Sequence, residues 1–420
     1  MTIHHVPSYA VDPVKLDRLA ELAIRVGLQF QPGQDLVVSS PISATPLVRR
    51  IAVHAYKAGA SVVTSIYSDD EITLARFDHG HEQSFDHAAD WLYEGIAKAC
   101  SNNAARLIIF GDNPTLLSNQ DPAKVARSAK ANATAALPAR ENIMNSRVNW
   151  SVVAYPDLGW ARKVFPTVSD DIAVKMLADE IFAASRVDRD DAIGAWKLHN
   201  AILKERTNWL NGQAFRDLHF VGPGTDLTVG LADGHNWIGG AAIAGNGVTY
   251  NPNIPTEEVF TTPHARRVSG YVRSTKPLSF QGALIDEISV SFEEGRIVHA
   301  KAAKGNDVLH KILDIDEGAR RLGEVALVPD SSMISKSGVL FYNTLFDENA
   351  SSHIALGQSF SHCFVDGRCL TPEEIKQRGG NSSLIHVDWM IGSGDVDVDG
   401  LTADGRSIPV FRKGEWAYGP

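Results

Sequence analysis

The spacing of the apolar residues changes once along this 420-residue chain, near residues 200–215. Before that point, short β-branched apolar runs alternate with longer segments whose apolar residues recur at helical spacing. The runs that predict buried strands are 35–39, 60–67, 105–110 and 149–155. The segments that predict helices around them are 15–26, 45–59 and 122–139. Strands that alternate with helices are typical of a largely parallel α/β sheet.

After the change, the predicted elements are shorter and mostly β. Segments such as 217–221, 226–231 and 287–292 alternate apolar and polar residues between Gly-rich turns, which favours antiparallel strands. We also expect a helix over 306–322, and two helices over 170–210 that precede this half.

The fold class predicted from these patterns is α/β plus α+β. We expect an N-terminal, largely parallel α/β domain over residues 1–205, followed by a β-rich domain over residues 206–420.

The composition excludes several classes of function. The chain has 50 Asp and Glu residues against 40 Lys and Arg, whereas a nucleic-acid binder normally has a basic excess. No apolar run is long enough to cross a membrane. Three cysteines are too few for a disulfide framework, and the N-terminus lacks the features of a signal peptide. We therefore expect a cytoplasmic protein that acts neither on nucleic acid nor in a membrane.

Familiar active-site motifs are missing from the sequence. It contains no GxGxxG, no GxxxxGK[ST], no GxSxG and no HExxH. The α/β half therefore gives no nucleotide-binding signal, and candidate site residues have to be sought outside these motifs.

Carboxylates and imidazoles in the second half lie in or beside apolar stretches. Glu324 is the clearest case, because Val-Ala-Leu-Val follows it, and a buried charge is costly unless it is paired or bound to a metal. His386 and Asp388 are two residues apart, so on a strand they would point to one face and form half of a metal site. Simpler explanations stay open, since Glu324 could pair with Arg320 or Arg321, and His386 with Asp388.

The other residues of this kind are Glu257, Glu258, Glu348 and His353. Considered alone, the adjacent glutamates are typical of a turn or a solvated helix start, and His353 is typical of a hydrogen-bonded core histidine. Considered together, three Glu, two His and one Asp match the mixed oxygen and nitrogen chemistry of two-metal hydrolases. The residues alone therefore favour a metal site.

Four longer segments closely resemble the M29 family of metallo-aminopeptidases. They are PTEEVF (255–260), LFDENASSHIALG (345–357), HVDWMIGSGDVDVDG (386–400) and PVFRKGEWA (409–417). The likeness extends through the N-terminal half and covers nearly the whole chain. The resemblance implies a site for two divalent ions per chain, zinc or cobalt, with manganese and magnesium as further candidates. The implied ligands are Glu258, Glu324, Glu348, His353, His386 and Asp388, with Glu324 as the bridging carboxylate.

The resemblance also implies an activity and an assembly. It implies a homodimer that removes N-terminal residues from peptide substrates, with catalysis in the C-terminal domain. A general base must take a proton from the attacking water and pass it to the leaving amine. We predict that Glu257, next to the implied ligand Glu258, is this base.

One position departs from the family pattern. After HIALG, Phe360 stands where the family usually carries a tyrosine that would stabilise the oxyanion, and phenylalanine has no hydroxyl to donate. His362 could substitute as the donor.

Two alternatives to peptide hydrolysis therefore stay open. One is a relative that uses a single iron, held by His353, His386 and Asp388, to oxygenate an aromatic ring. The other is a ligand-binding protein that has lost turnover. The retention of three glutamates favours two metals and hence hydrolysis.

Overall fold

The computed structural model describes residues 11–280, 282–367 and 370–418, so that Cys369 lies outside the described residues. The chain divides into two compact units. The first contains residues up to 197 together with 241–255, and the second contains 198–240 together with the residues from 256 onward. A functional division at residues 205/206 stays a prediction.

A parallel sheet runs through the first unit. Its strands are β1 Leu36–Pro41, β2 Val63–Ser68, β3 Ala105–Phe110 and β4 Trp150–Ala154. They pair in the order β2-β1-β3-β4, and every pair is parallel. Strand β1 lies inside the sheet and is buried along nearly its whole length, whereas β2 lies at the edge and is largely exposed. This arrangement confirms the predicted parallel α/β architecture, in which continuous apolar runs mark strands covered on both faces.

Helices follow most of these strands. The helices of the first unit are α1 Pro13–Leu22, α2 Thr45–Lys57, α3 Asp70–His79, α4 Asp90–Ser101, α5 Pro122–Ala135, α6 Leu137–Met144, α7 Leu158–Val164 and α8 Asp170–Ala184. Helix α1 begins where the Asp12 side chain accepts hydrogen bonds from the N–H groups of Val14 and Lys15, at 2.8 and 3.2 Å. A π-helical turn, Ala23–Gly27, completes the helix predicted over 15–26.

The helix predicted over 122–139 is two helices. Helix α5 ends at Ala135, and α6 begins at Leu137 with Pro138 in its first turn. Proline has no N–H and its ring blocks a continuing helix on its N-terminal side, so a proline at this point starts a new helix. A short hairpin of the same unit consists of β7 Ala242–Ile243 and β8 Thr249–Tyr250.

The long helix α9 Ala192–Gln213 precedes the β-rich half. In the second unit, one sheet has the order β14-β13-β10-β6-β5-β18-β19-β20, and its pairs are antiparallel. Its strands are β5 Asp217–Gly222, β6 Thr225–Leu231, β10 Pro263–Arg273, β13 Ser289–Glu293, β14 Arg296–Lys301, β18 Asp397–Leu401, β19 Ser407–Arg412 and β20 Glu415–Trp416. The antiparallel character predicted for this half is confirmed.

A smaller antiparallel sheet in the second unit has the order β17-β16-β15-β9. Its strands are β9 Val259–Thr261, β15 Leu322–Leu327, β16 His353–Gly357 and β17 His386–Met390. A separate hairpin pairs β11 Leu278–Phe280 with β12 Ala283–Ile285. The helices of this part are α10 Asn306–Leu313, α11 Met333–Ser337, α12 Thr344–Asp347 and α13 Pro372–Gln377.

Helix α10 is shorter than the helix predicted over 306–322. It ends at Leu313, and the Asp316 side chain then accepts hydrogen bonds from the N–H groups of Ala319 and Leu384, at 2.8 and 2.7 Å. Aspartate side chains compete in this way with the helical hydrogen-bond pattern, so the chain turns here and enters β15. Among the described residues, no helix has both the length and the apolarity needed to cross a membrane.

Candidate metal centre

The strand register of the smaller sheet places four of the predicted ligands on one face. Ala355 on β16 pairs with Glu324 on one side and with Asp388 on the other, so the three residues form a row. His353 lies two residues before Ala355, and His386 pairs with the residue two after it. Directly paired residues share a face, as do residues two apart on one strand. Glu324, His353, His386 and Asp388 therefore project from the same face.

The residues between them form the opposite face. Val325, Ile354, Val387 and Trp389 are at most 5 % exposed and belong to the hydrophobic core of the unit. Alternation along each strand thus anchors one face in apolar packing while the other presents charged groups. The i, i+2 spacing of His386 and Asp388 predicts this geometry from the sequence.

The last two predicted ligands come from connecting segments. Glu258 directly precedes β9, which pairs with β15, and Glu348 begins a 3-10 turn directly after α12. Glu348 lies close enough to Glu258 and Asp388 for their charges to affect its ionisation. We refer to Glu258, Glu324, Glu348, His353, His386 and Asp388 together as the donor cluster.

Two overlapping sets of possible ligand atoms lie within the donor cluster. Among the described residues, Glu258, Glu324 and His353 form one set and Glu324, His386 and Asp388 form the other, each with its atoms within 4.8 Å of one another. His353 Nε2 lies 3.2 Å from Glu258 Oε2 and 3.5 Å from Glu324 Oε1. His386 Nε2 lies 3.5 Å from Glu324 Oε2 and 3.3 Å from Asp388 Oδ1. The two oxygens of Glu324 thus face different histidines.

The simpler explanation for Glu324 is wrong. Arg320 bonds to Asp314 at 2.5 Å, and Arg321 donates to the carbonyl of Ala265 at 2.8 Å. Neither arginine contacts the Glu324 carboxylate, whose ionic contacts in the described structure are the two histidines.

Both histidines are oriented by backbone carbonyls. His353 Nδ1 lies 3.2 Å from the carbonyl oxygen of Ser351, and His386 Nδ1 lies 2.7 Å from that of Gln358. Because a carbonyl only accepts hydrogen bonds, each Nδ1 carries the hydrogen. In the neutral ring, Nε2 then has the free lone pair and points at the carboxylates, as in metal-binding histidines.

The electrostatics of the donor cluster favour bound cations. Burial raises the pKa of Glu258, and burial together with the neighbouring carboxylates raises the pKa of Glu348 well above its ordinary value. Burial also opposes ionisation of Glu324, but its contacts with His353 and His386 outweigh burial and lower its pKa to about 2. Glu258 and Glu324 outweigh burial at His353, and Asp388 and Glu324 outweigh it at His386, so that both histidines have pKa values well above the ordinary range.

An unsatisfied oxygen shows that the cluster suits a metal. Glu258 Oε2 is buried, and its contact with His353 lacks hydrogen-bond geometry, so it has no hydrogen bond among the described residues. A buried carboxylate oxygen in this state is costly unless a cation occupies the remaining position. Carboxylate oxygens and imidazole nitrogens together suit zinc and related divalent ions.

Glu257 lies outside both sets of ligand atoms. It is 7 % exposed, its backbone N–H donates to Asn349 Oδ1 at 2.7 Å, and its Oε2 lies 3.9 Å from His199 Nε2. Its role as general base stays a prediction. The sequence does not predict the roles of His199 and Asn349. His199 belongs to no motif, and Asn349, although it lies within the segment 345–357, meets Glu257 across 92 residues of chain.

Phe360 lies against the donor cluster. The centre of its ring is 4.6 Å from that of His386, and it stacks on His362 at 5.1 Å with an interplanar angle of 20°. Phe260 packs edge-on against it at 6.4 Å. Phe360 is therefore part of an aromatic group beside a predicted ligand.

Comparison with known proteins agrees with this geometry. The family model for thermophilic metalloproteases (M29) matches residues 13–416. Aminopeptidase T of Thermus thermophilus is 50 % identical over 401 residues, which cover 96 % of this chain and 98 % of that protein. Aminopeptidase 2 of Geobacillus stearothermophilus is 45 % identical over 404 residues, with the same shares covered.

A solved structure gives the same result. The structure of wild-type AmpT from Thermus thermophilus matches with a TM-score of 0.92 and 49 % identity, over 96 % of this chain and 99 % of that chain. None of these matches supports the iron oxygenase or the binding protein without turnover. Because the family match spans nearly the whole chain, this chain belongs to the M29 family of metalloproteases, and its predicted function as a metallo-aminopeptidase is confirmed.

Proposed function

We propose that this enzyme hydrolyses the N-terminal peptide bond of its substrates while two divalent ions are bound in the donor cluster. The observation that supports two ions is the position of Glu324. Each of its carboxylate oxygens faces a different histidine, and it belongs to both sets of ligand atoms. A carboxylate with two oxygens suits a bridge between two ions.

The other members of the cluster divide between the two positions. Glu258 and His353 would hold one ion beside Glu324, and His386 and Asp388 would hold the other. Glu348 lies outside both sets of ligand atoms and would add a further carboxylate beside Glu258 and Asp388. When bound, such ions acidify water and polarise the carbonyl group of the scissile bond.

The protein's own groups account for the remaining steps. The buried carboxylate of Glu257, adjacent to Glu258, would take the proton of the attacking water and deliver it to the leaving amine. The free α-amine of the substrate would bind one of the ions or one of the carboxylates. This contact would direct hydrolysis to the substrate's N-terminus.

We further propose zinc or cobalt as the native metal, with manganese and magnesium as weaker candidates. Imidazole nitrogen suits zinc and cobalt better than magnesium, which prefers oxygen ligands.

A cytoplasmic homodimer completes the proposal. The dimer rests on the family resemblance alone. The buried free thiols of Cys100 and Cys363 are consistent with a reducing compartment.

The decisive assay uses protein treated with a chelator and then supplied with Zn²⁺, Co²⁺, Mn²⁺ or Mg²⁺ separately. The substrates are a short peptide with a free N-terminus and the same peptide acetylated at its N-terminus. We expect hydrolysis only after metal is added and only of the free peptide. Full activity in the presence of chelator, or equal cleavage of the acetylated peptide, would contradict the proposal.

A further inference from the structure

We infer that Asn349 is a positioning residue for the donor cluster, because its side-chain amide joins the segment of Glu257 and Glu258 to the segment of Glu348. The inference rests on the proposed function and adds to it a residue that neither contributes a ligand atom to the two sets nor belongs to the reacting groups.

The contacts of Asn349 connect three points of the chain. Its Oδ1 accepts a hydrogen bond from the backbone N–H of Glu257 at 2.7 Å. Its Nδ2 donates to the carbonyl of Leu345 at 3.0 Å and lies 3.5 Å from Glu348 Oε1. The backbone carbonyl of Asn349 accepts a further hydrogen bond from the Ser332 hydroxyl, at 3.1 Å.

The orientation of this amide is determined by its partners. A backbone N–H only donates and a carbonyl only accepts, so a flipped amide would face the N–H of Glu257 with its own N–H groups. The side chain is completely buried, and water therefore cannot replace either partner. Loss of the amide would remove a hydrogen-bond partner from two buried backbone groups, the N–H of Glu257 and the carbonyl of Leu345.

These contacts set the positions of two predicted ligands. Glu258 follows directly after the hydrogen-bonded N–H group, and Glu348 directly precedes Asn349 in the chain. Both glutamates are buried among like charges that repel each other. A fixed link between their segments opposes this repulsion, so we expect the link to matter most for the affinity of the cluster for metal.

The test compares Asn349→Ala with the wild type and with Asn149→Ala. Asn149 is a matched control in the other unit, because it is also completely buried and its Nδ2 donates to the carbonyl of Leu28 at 2.8 Å. Zn²⁺ affinity is measured by competition with a chelating dye, and the Tm of each metal-free protein is measured in parallel.

We expect Asn349→Ala to bind Zn²⁺ about tenfold to a hundredfold more weakly than the wild type, the range found for residues that orient metal ligands. Asn149→Ala should lower the Tm by a comparable amount and leave Zn²⁺ affinity within about twofold of the wild type. A positioning role is overturned if Asn349→Ala also retains wild-type affinity. If the wild type itself binds no Zn²⁺, the proposed function fails instead.

A measurement on the wild type covers the case in which Asn349→Ala does not fold. Hydrogen exchange of the Glu257 amide reports directly on its bond to Asn349. We expect a protected amide in the metal-free protein and slower exchange after Zn²⁺ is added. Rapid exchange in both states would overturn the inference.

Discussion

Substitution of Ala355 tests whether the donor cluster lies on the assigned face of the smaller sheet. Ala355 pairs with Glu324 and with Asp388, and its methyl group is completely buried on the face that carries these two carboxylates. Ala355→Val adds two methyl groups at this point. We expect the variant to fold and to bind divalent metal more weakly.

The expected magnitude follows from the packing. Overfilling a buried position costs about 1–3 kcal/mol. In the metal-free protein the side chains of Glu324 and Asp388 can turn away, whereas bound ions would hold both carboxylates in place. The substitution therefore destabilises the metal-bound state more than the metal-free state. At about 1.4 kcal/mol for each factor of ten, Zn²⁺ affinity should decrease about fivefold to a hundredfold.

The neighbouring residue gives a matched control. Ile354 lies on the same strand and is equally buried, but it points into the hydrophobic core. Ile354→Val should lower the free energy of unfolding by about 0.5–1.5 kcal/mol and leave metal affinity unchanged. Dye competition and urea unfolding measure the two quantities. If both variants weaken metal binding equally, or if only Ile354→Val does, the assignment of faces is refuted.

Three further predictions concern single residues. Glu257→Gln should retain bound metal and lose about 10²- to 10⁴-fold in kcat, and unchanged turnover in a peptide assay would remove it as the general base. Phe360→Tyr, beside His386, should increase kcat if an oxyanion donor is missing, and an unchanged kcat would exclude that explanation. Burial, together with Asp157 and Asp112, raises the pKa of Asp70 to about 6. Ionisation of Asp70 therefore lowers the free energy of unfolding as the pH rises from 3.8, the ordinary pKa of the group, to about 6. Asp70→Asn should therefore raise the Tm at pH 7 but hardly at pH 4, whereas equal shifts at both would contradict this explanation.

Much of the fold is readable from local patterns. Strand β3 lies at the predicted residues 105–110, because a strand buried on both faces leaves a continuous apolar run between polar ends. The helix predicted over 306–322 was too long, because the apolar spacing continues past the point where Asp316 binds backbone N–H groups. The packing of residues 241–255 with the first unit has no local signal, since this segment of small and turn-forming residues shows no periodicity.

Local sequence patterns likewise predict only part of the candidate site. The six residues of the donor cluster are a prediction from the sequence motifs, and five of them supply atoms to the two sets of possible ligand atoms. The spacing of His386 and Asp388 predicts their common face. The motifs do not show that Ala355 lies between Glu324 and Asp388, which depends on the register of three strands. They also do not show that Asn349 bonds to a backbone group 92 residues away, because such a contact leaves no local pattern.

The most direct test of the central claim is the number and position of bound ions. Crystals of the enzyme soaked in Zn²⁺ would be measured at the zinc absorption edge, where anomalous scattering locates the metal. We predict two peaks, one between Glu258, His353 and Glu324 and one between Glu324, His386 and Asp388. A single peak, or two peaks without Glu324 between them, would contradict a shared two-metal site.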